Sequence, residues 1–310
     1  MNRWQRHVLS NRLQSLALVA LLLGIAATAG GLLLGETGLV AALVASVLAL
    51  AVEPGAATRL TLALYRARPL APGEAPPLER VAARLAAQVG LKRRPQLHWV
   101  PTPIINAFAV GSANDPHIVL TDGLLRELTL REITGVLAHE IAHIAQGDLR
   151  VMGLADYVSR LTNLFALLAQ IVILMSLPAW IIGDVEVPWS GLLLLLVSPH
   201  IALLAQLSLS RVREYDADLT AAALTGDPEG LASALAKIER ANRSWRAWLF
   251  PGWGNPEPSW LRTHPATEDR ILRLLSLSTK KGSGEAFEPW TWTQRGTSYR
   301  PRWRLGGIWR

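Results

Sequence analysis

Four apolar runs, residues 13–34, 37–52, 161–182 and 189–209, contain none of the chain's Asp, Glu, Lys or Arg. The first would make about 33 Å of helix, enough to cross a bilayer. It is too long for the core of a signal peptide, and no convincing cleavage site leads from it into a soluble domain. The second run is shorter and joins the first through a turn at Gly35-Glu36. The third and fourth meet around Gly183-Asp184-Val185-Glu186-Val187-Pro188. Two helical hairpins, four spans in all, are therefore expected, although the second hairpin also reads as buried or partly inserted. His200, inside the fourth run, reads as a hydrogen-bonded packing residue.

Between the hairpins the period changes. Residues 77–89 form an amphipathic pattern, with Pro near its start and Gly90 after its end. Residues 96–100, 107–110 and 118–121 read as short strands separated by Pro, Gly, Asn and Asp. Thr129 and Glu132 have capping-box spacing, and Gly147 suits a left-handed stop after Gln146, so a helix is expected between them. The expected class is α+β, mostly α, with a small sheet.

Half of the residues are hydrophobic and 18% are charged. That is apolar for a soluble protein and ordinary for one with several spans. A net charge of +7 raises the question of nucleic acid. The basic residues are dispersed, many flank the apolar runs, and no RNA- or DNA-binding signature accompanies them, so no nucleic-acid partner is expected. Arg3, Arg6 and Arg12 precede the first run, Arg59, Arg66 and Arg68 follow the second, and the turns within the hairpins carry only Glu36, Asp184 and Glu186. The positive-inside rule then places both termini and the polar middle on the cytoplasmic side of a plasma (inner) membrane. The chain has no cysteine, which leaves His and carboxylates as the supply of metal ligands.

The chemistry concentrates at His139-Glu140-Ile141-Ala142-His143. Histidines four apart share a helix face and can close on one Zn²⁺, while Glu140 points roughly 100° round the helix, towards water at the open position. Composition alone would produce this pattern in under about one such chain in a hundred. A hydrolytic site wants a third protein ligand. Asp148 follows His143 too closely, and Asp184 and Glu186 are expected across the membrane. The region left is Ser210-Arg211-Val212-Arg213-Glu214-Tyr215-Asp216-Ala217-Asp218, where Glu214 and Asp218 share a face. One can ligate while the other hydrogen-bonds a ligand histidine. Asn106-Ala107-Phe108-Ala109 is the candidate edge strand for an extended peptide substrate, and reads equally as an ordinary core strand contributing Phe108.

These stretches, with Leu64-Tyr65-Arg66-Ala67-Arg68-Pro69-Leu70 and Thr263-His264-Pro265-Ala266-Thr267-Glu268-Asp269-Arg270-Ile271, resemble the HtpX-type membrane zinc metalloproteases, relatives of the CAAX prenyl proteases. The similarity covers most of residues 60 to 275. It implies a zincin-like (gluzincin) protease domain, Glu214 as third zinc ligand beside His139 and His143, Glu140 as catalytic base, and a peptide paired with the Asn106–Ala109 segment. Asp218 is then the group supporting a ligand histidine. The family often has Asn where Gln146 stands, and the Trp-rich tail lies outside the match.

His264 stands just before Pro265, which opens a helix running to about Leu277. Either it stabilises an oxyanion or a ligand carboxylate, or it caps and packs. The expected organisation is a hairpin at 1–52, protease parts at 53–160 and 211–279 around a second hairpin at 161–210, and a basic, Trp-rich tail at 280–310. The function that follows is a membrane zinc endopeptidase acting on polypeptides, membrane or misfolded proteins on the cytoplasmic side, in quality control. A dedicated processing protease and a scaffold with purely structural zinc are the rivals; the latter needs a fourth protein ligand and gives Glu140 no reason to be acidic.

Overall fold

The computed structural model describes residues 3–51, 55–182, 189–242 and 267–278. The first apolar pair folds as two helical arms, α1 (Arg3–Ala51), that meet at Gly35. Its φ of 65° and ψ of −151° suit glycine and few other residues. The arms close tightly above that bend, because a Cβ on Gly38 would lie 2.1 Å from the Gly30 carbonyl oxygen. The second pair forms α6 (Asp148–Ile182) and α7 (Trp189–Thr225).

Among the described residues, three helical segments, Leu13–Leu32, Asp148–Met175 and Leu193–Thr225, suffice by length and composition to cross a membrane. The second arm of α1, Leu34–Ser46, is apolar but shorter. Small residues face inward where these helices meet: Ala26, Ala155, Ala202 and Ala205 are buried with Leu22, Val158 and Leu209. Large ones such as Leu16, Leu174 and Leu204 face outward and are exposed. This inversion, with small side chains at the contacts, suits helices packing in lipid. His200 departs from the packing role expected for it, since it lies on the exposed side of α7. Neither α6 nor α7 breaks at residue 160 or 210, so each carries its apolar and polar halves on one rod.

The expected strands form with longer second and third members: β2 (Gln96–Val100), β3 (Ala107–Ser112) and β4 (Asp115–Thr121), joined by a two-residue β1 (Arg68–Pro69). The order is β1-β2-β4-β3, with β2 parallel and β3 antiparallel to β4. That order leaves β3 at an edge. One face of the sheet packs Ile118 and Leu120 against α3 (Pro76–Gln88) and α5 (Leu130–Gln146), through Leu78, Leu85 and Leu137. The other packs Phe108, Val110 and Val119 against Leu62 of α2 (Gly55–Leu64) and Tyr65. After β4 comes a short helix, α4 (Asp122–Glu127), and the last two helices among the described residues are α8 (Pro228–Asn242) and α9 (Thr267–Ser278).

Helix α5 carries the His-Glu-x-x-His motif through the middle of this core. Its ends are those the sequence suggests: Thr129 and Glu132 form a reciprocal capping box, and Gly147 stops it at φ 73°. Glu132 does more than cap. Its buried carboxylate also accepts bonds from Ser233 (2.6 Å) and Lys237 (2.8 Å), tying α5 to α8. Burial opposes its charge, but the bonds to Lys237, Ser233 and Thr129 outweigh that and hold its pKa below the ordinary carboxylate value. Glu132→Ala should therefore cost about 2–3 kcal/mol, since it removes a cap and leaves Lys237 without its carboxylate. A thermal melt of the detergent-solubilised chain checks this; an unchanged midpoint would argue against the tie.

Candidate metal centre

His139 and His143 project from one face of α5, and Glu214 meets them from α7. Their nearest nitrogen and oxygen atoms lie within 4.8 Å of one another. The two Nε2 atoms are 3.0 Å apart, His139 Nε2 is 3.4 Å from Glu214 Oε2, and His143 Nε2 is 3.6 Å from Glu214 Oε1. Donors about 2.1 Å from a tetrahedral centre would be about 3.4 Å apart, so the cluster has the dimensions of a small cation's coordination shell.

The outer bonds explain why both Nε2 atoms face inward. His139 Nδ1 lies 3.0 Å from Asp218 Oδ1, and His143 Nδ1 lies 2.6 Å from Asp148 Oδ2. Each carboxylate fixes an N–H on Nδ1 and so leaves an Nε2 lone pair pointing to the shared point. Two lone pairs at 3.0 Å repel unless a proton or a metal ion sits between them. Arg270 of α9 braces this layer from behind. Its Nε and Nη2 donate to the two Asp218 oxygens at 2.7 Å each, and its Nη1 lies 2.8 Å from Glu214 Oε2. This fork-to-fork geometry is the strong form of a carboxylate bond.

Charge balance points to a cation as well. Among the described residues, Glu140, Asp148, Glu214 and Asp218 face two guanidiniums, Arg213 and Arg270, in and around the cluster. With neutral histidines, two negative charges remain, and a divalent ion cancels them.

Glu140 points from α5 towards the edge strand, where the Ala109 N–H donates to its Oε2 at 2.8 Å. Pairing with β4 fixes which main-chain groups of β3 face out. Asn106 O accepts from Thr121 N at 3.1 Å, and Asn106 N donates to Thr121 Oγ1 at 2.9 Å. Asn106 is thus turned inward, and alternation turns Ala107, Ala109 and Gly111 outward. Phe108 lies 1% exposed against Tyr65, with ring centroids 4.9 Å apart. The segment thus contributes Phe108 to the core while its backbone forms a sheet edge. A cleft lined by Ala107, Ala109, Glu140, His143 and Glu214 runs between that edge and the cluster.

The structure thus brings together His139, Glu140, His143, Glu214, Asp218 and the β3 edge, while His264 lies outside the described residues. Three groups went unassigned in the sequence. Asp148 is too close to His143 to share its metal, yet the Gly147 turn aims it back at the ring. Arg213 and Arg270 were visible within quoted motifs, but only tertiary packing reveals their partners. For Arg270, the hint was a basic residue among the apolar positions of an amphipathic helix.

A paired-histidine helix, a third carboxylate and an acidic neighbour beside an open sheet edge define a class, the metal-dependent peptidases. The chain belongs to peptidase family M48, which its residues 72–278 match. A protease HtpX homolog of Acaryochloris marina is 39% identical over 235 residues, spanning 71% of this chain and 78% of that one. Homologs so described from Syntrophobacter fumaroxidans (35% over 288 residues; 87% and 100% covered) and Pyrococcus furiosus (34% over 285; 86% and 95%) are similar over nearly their whole length. Among solved structures, S. mikatae Ste24p is similar at 21% identity with a TM-score of 0.47, over 87% of this chain and 66% of that one. The protein is a membrane-bound metalloprotease.

Without metal, burial opposes charge on His139, but hydrogen bonds to Asp218 and Glu214 outweigh it and raise the pKa from 6.5 to about 9. The proton's stabilising effect is full below the ordinary pKa and is lost as pH rises through about 9. An entering cation must displace this proton. Affinity for a divalent metal should therefore rise between about pH 7 and about pH 9, with close to one proton released from His139 at neutral pH. Calorimetric titrations in buffers of different ionisation enthalpy measure both; an affinity flat over that range contradicts the assignment.

Proposed function

We propose that this chain is a zinc-dependent endopeptidase in which His139, His143 and Glu214 hold the metal and Glu140 is the general base. The observation that carries this reading is the convergence of those three donors, at tetrahedral spacing, beside a carboxylate and an open strand edge. Two imidazoles and a carboxylate are a donor set that suits zinc in its catalytic form, with one position left for water or substrate. Bound there, zinc supplies Lewis-acid chemistry, polarising a carbonyl and acidifying water.

The remaining steps fall to the chain's own residues. An extended substrate lies along β3 and pairs with the outward main-chain groups of Ala107 and Gly111 and with the Ala109 carbonyl, which fixes the register of its scissile carbonyl. Glu140, steadied by the Ala109 amide, takes a proton from the attacking water and delivers it to the leaving amine. Asp218 keeps His139 in the ligating tautomer, and Arg270 holds Asp218 and Glu214 in place. His264, three positions before α9 begins, is the candidate to stabilise the oxyanion or a ligand carboxylate.

In this reading residues 1–52 and 161–210 form four spans, residues 53–160 and 211–279 form the protease domain, and both termini and the site are cytoplasmic. The arginine distribution supports that orientation. Polypeptides are the substrates, in particular cytoplasmic segments of misfolded or membrane proteins, which makes quality control the physiological role. The continuity of α6 and α7 from apolar to site-bearing halves supports it, because the cleft is held near the bilayer surface.

Glu140→Gln should retain zinc and lose roughly 10²- to 10⁴-fold of its proteolytic rate on casein or a model membrane protein. Normal turnover by that variant would remove Glu140 from the mechanism, and a chelator-insensitive parent would favour a structural metal. Orientation is tested separately, since a chain without cysteine suits single-cysteine labelling. Asp184→Cys should react with an impermeant maleimide in intact cells, and Lys92→Cys only after permeabilisation; the reverse pattern overturns the topology.

A further inference from the structure

Arg213 is buried at 7% exposure on α7, immediately before the proposed ligand Glu214, and plays no part in the mechanism above. A guanidinium in such a place is costly unless fully paired. Partners of Arg213 lie at the corner where α5 ends and α6 begins. It ion-pairs with Asp148 Oδ1, and its Nη2 also donates to the Gln146 carbonyl and to Gln146 Oε1, each at 3.4 Å. The Gln146 amide donates onward to Thr220 Oγ1 at 2.9 Å, two turns beyond Arg213 on α7.

Asp148 is therefore held from two sides. Its Oδ1 faces Arg213, and its Oδ2 takes the His143 Nδ1–H at 2.6 Å. The carboxylate is 2% exposed and is the first residue of α6. The left-handed Gly147 brings it back against the ring that precedes it by five residues. A carboxylate in that position could also turn away towards the α6 N-terminus, whose orphan N–H groups compete for it. Arg213 decides between these by fixing the oxygen that His143 does not use.

We infer that Arg213 is a positioning residue for the metal centre, acting through Asp148 to set the ring orientation and tautomer of His143. The device lies at the base of the two long apolar helices. The seating of α7 against α6 therefore sets the geometry of a ligand on α5, and the membrane hairpin and the site form one mechanical unit. This rests on the zinc reading, and the test separates the two.

Zinc affinity of the full chain in detergent, measured by competition with a chromophoric chelator, is compared for the parent, Arg213→Met, Arg213→Lys, Asp148→Asn and the double variant Arg213→Met/Asp148→Asn. Cobalt(II) absorption serves as a second readout of ligand geometry. Arg213→Met should weaken zinc about 10- to 100-fold, the range for groups that orient metal ligands, and Arg213→Lys should recover part of the loss. Because Arg213 acts through Asp148, adding Arg213→Met to Asp148→Asn should cost little more. Unchanged zinc affinity in Arg213→Met, or losses that multiply fully in the double variant, overturn the inference while the zinc reading stands. A parent that binds no zinc overturns that reading instead. If Arg213→Met does not accumulate, Arg213→Lys decides: an intermediate loss with an altered cobalt spectrum supports the role, and parental values for both contradict it.

Discussion

Uncompensated negative charge in a desolvated site is the constraint on which this structure turns. Among the described residues, four carboxylates gather around two histidines with Arg213 and Arg270 as the guanidiniums beside them, and Asp148, Glu214 and Asp218 each hold specific partners. In the metal-free protein part of the imbalance is met by a proton on His139, whose pKa rises to about 9. A divalent cation meets it fully. The same shortage of positive charge thus stabilises a protonated resting cluster and creates a site that favours metal over proton as pH rises.

The fold serves that constraint by drawing ligands and supports from elements far apart in sequence. Helix α5 supplies two imidazoles and the acidic neighbour, α7 supplies Glu214 and Asp218, α6 begins with Asp148, and α9 closes the layer with Arg270. Each support also joins two elements, so removing one loosens packing as well as chemistry. The β3 edge completes the site from the other side, with Phe108 buried in the core while its neighbours turn their backbone to the cleft. Rigid elements on all sides are what a metal site needs to hold its geometry within a fraction of an ångström.

Local rules made much of this legible before folding. The ends of α5 follow from Thr129, Glu132 and Gly147, because caps depend on residues only a few positions apart. The three main strands and the long apolar helices were equally readable from period and length. What escaped depends on distance in sequence. Nothing near Glu132 announces Ser233 or Lys237, and nothing near Arg270 announces Asp218 or Glu214. Asp148 escaped for a different reason. It stands too near His143 in sequence to reach the metal, and the turn at Gly147 instead gives it the far side of the ring. The boundaries at 160 and 210 mark changes in polarity, which a helix can cross without a break.

The most direct measurement is zinc-edge X-ray absorption on the purified full-length chain. One zinc per chain is expected, with a first shell of two imidazole nitrogens and carboxylate oxygen at about 2.0–2.2 Å, completed by a water-like oxygen. The spectrum should lose an imidazole contribution in His143→Ala. A shell of oxygen alone, or a spectrum unaltered by both His143→Ala and Glu214→Ala, would contradict it.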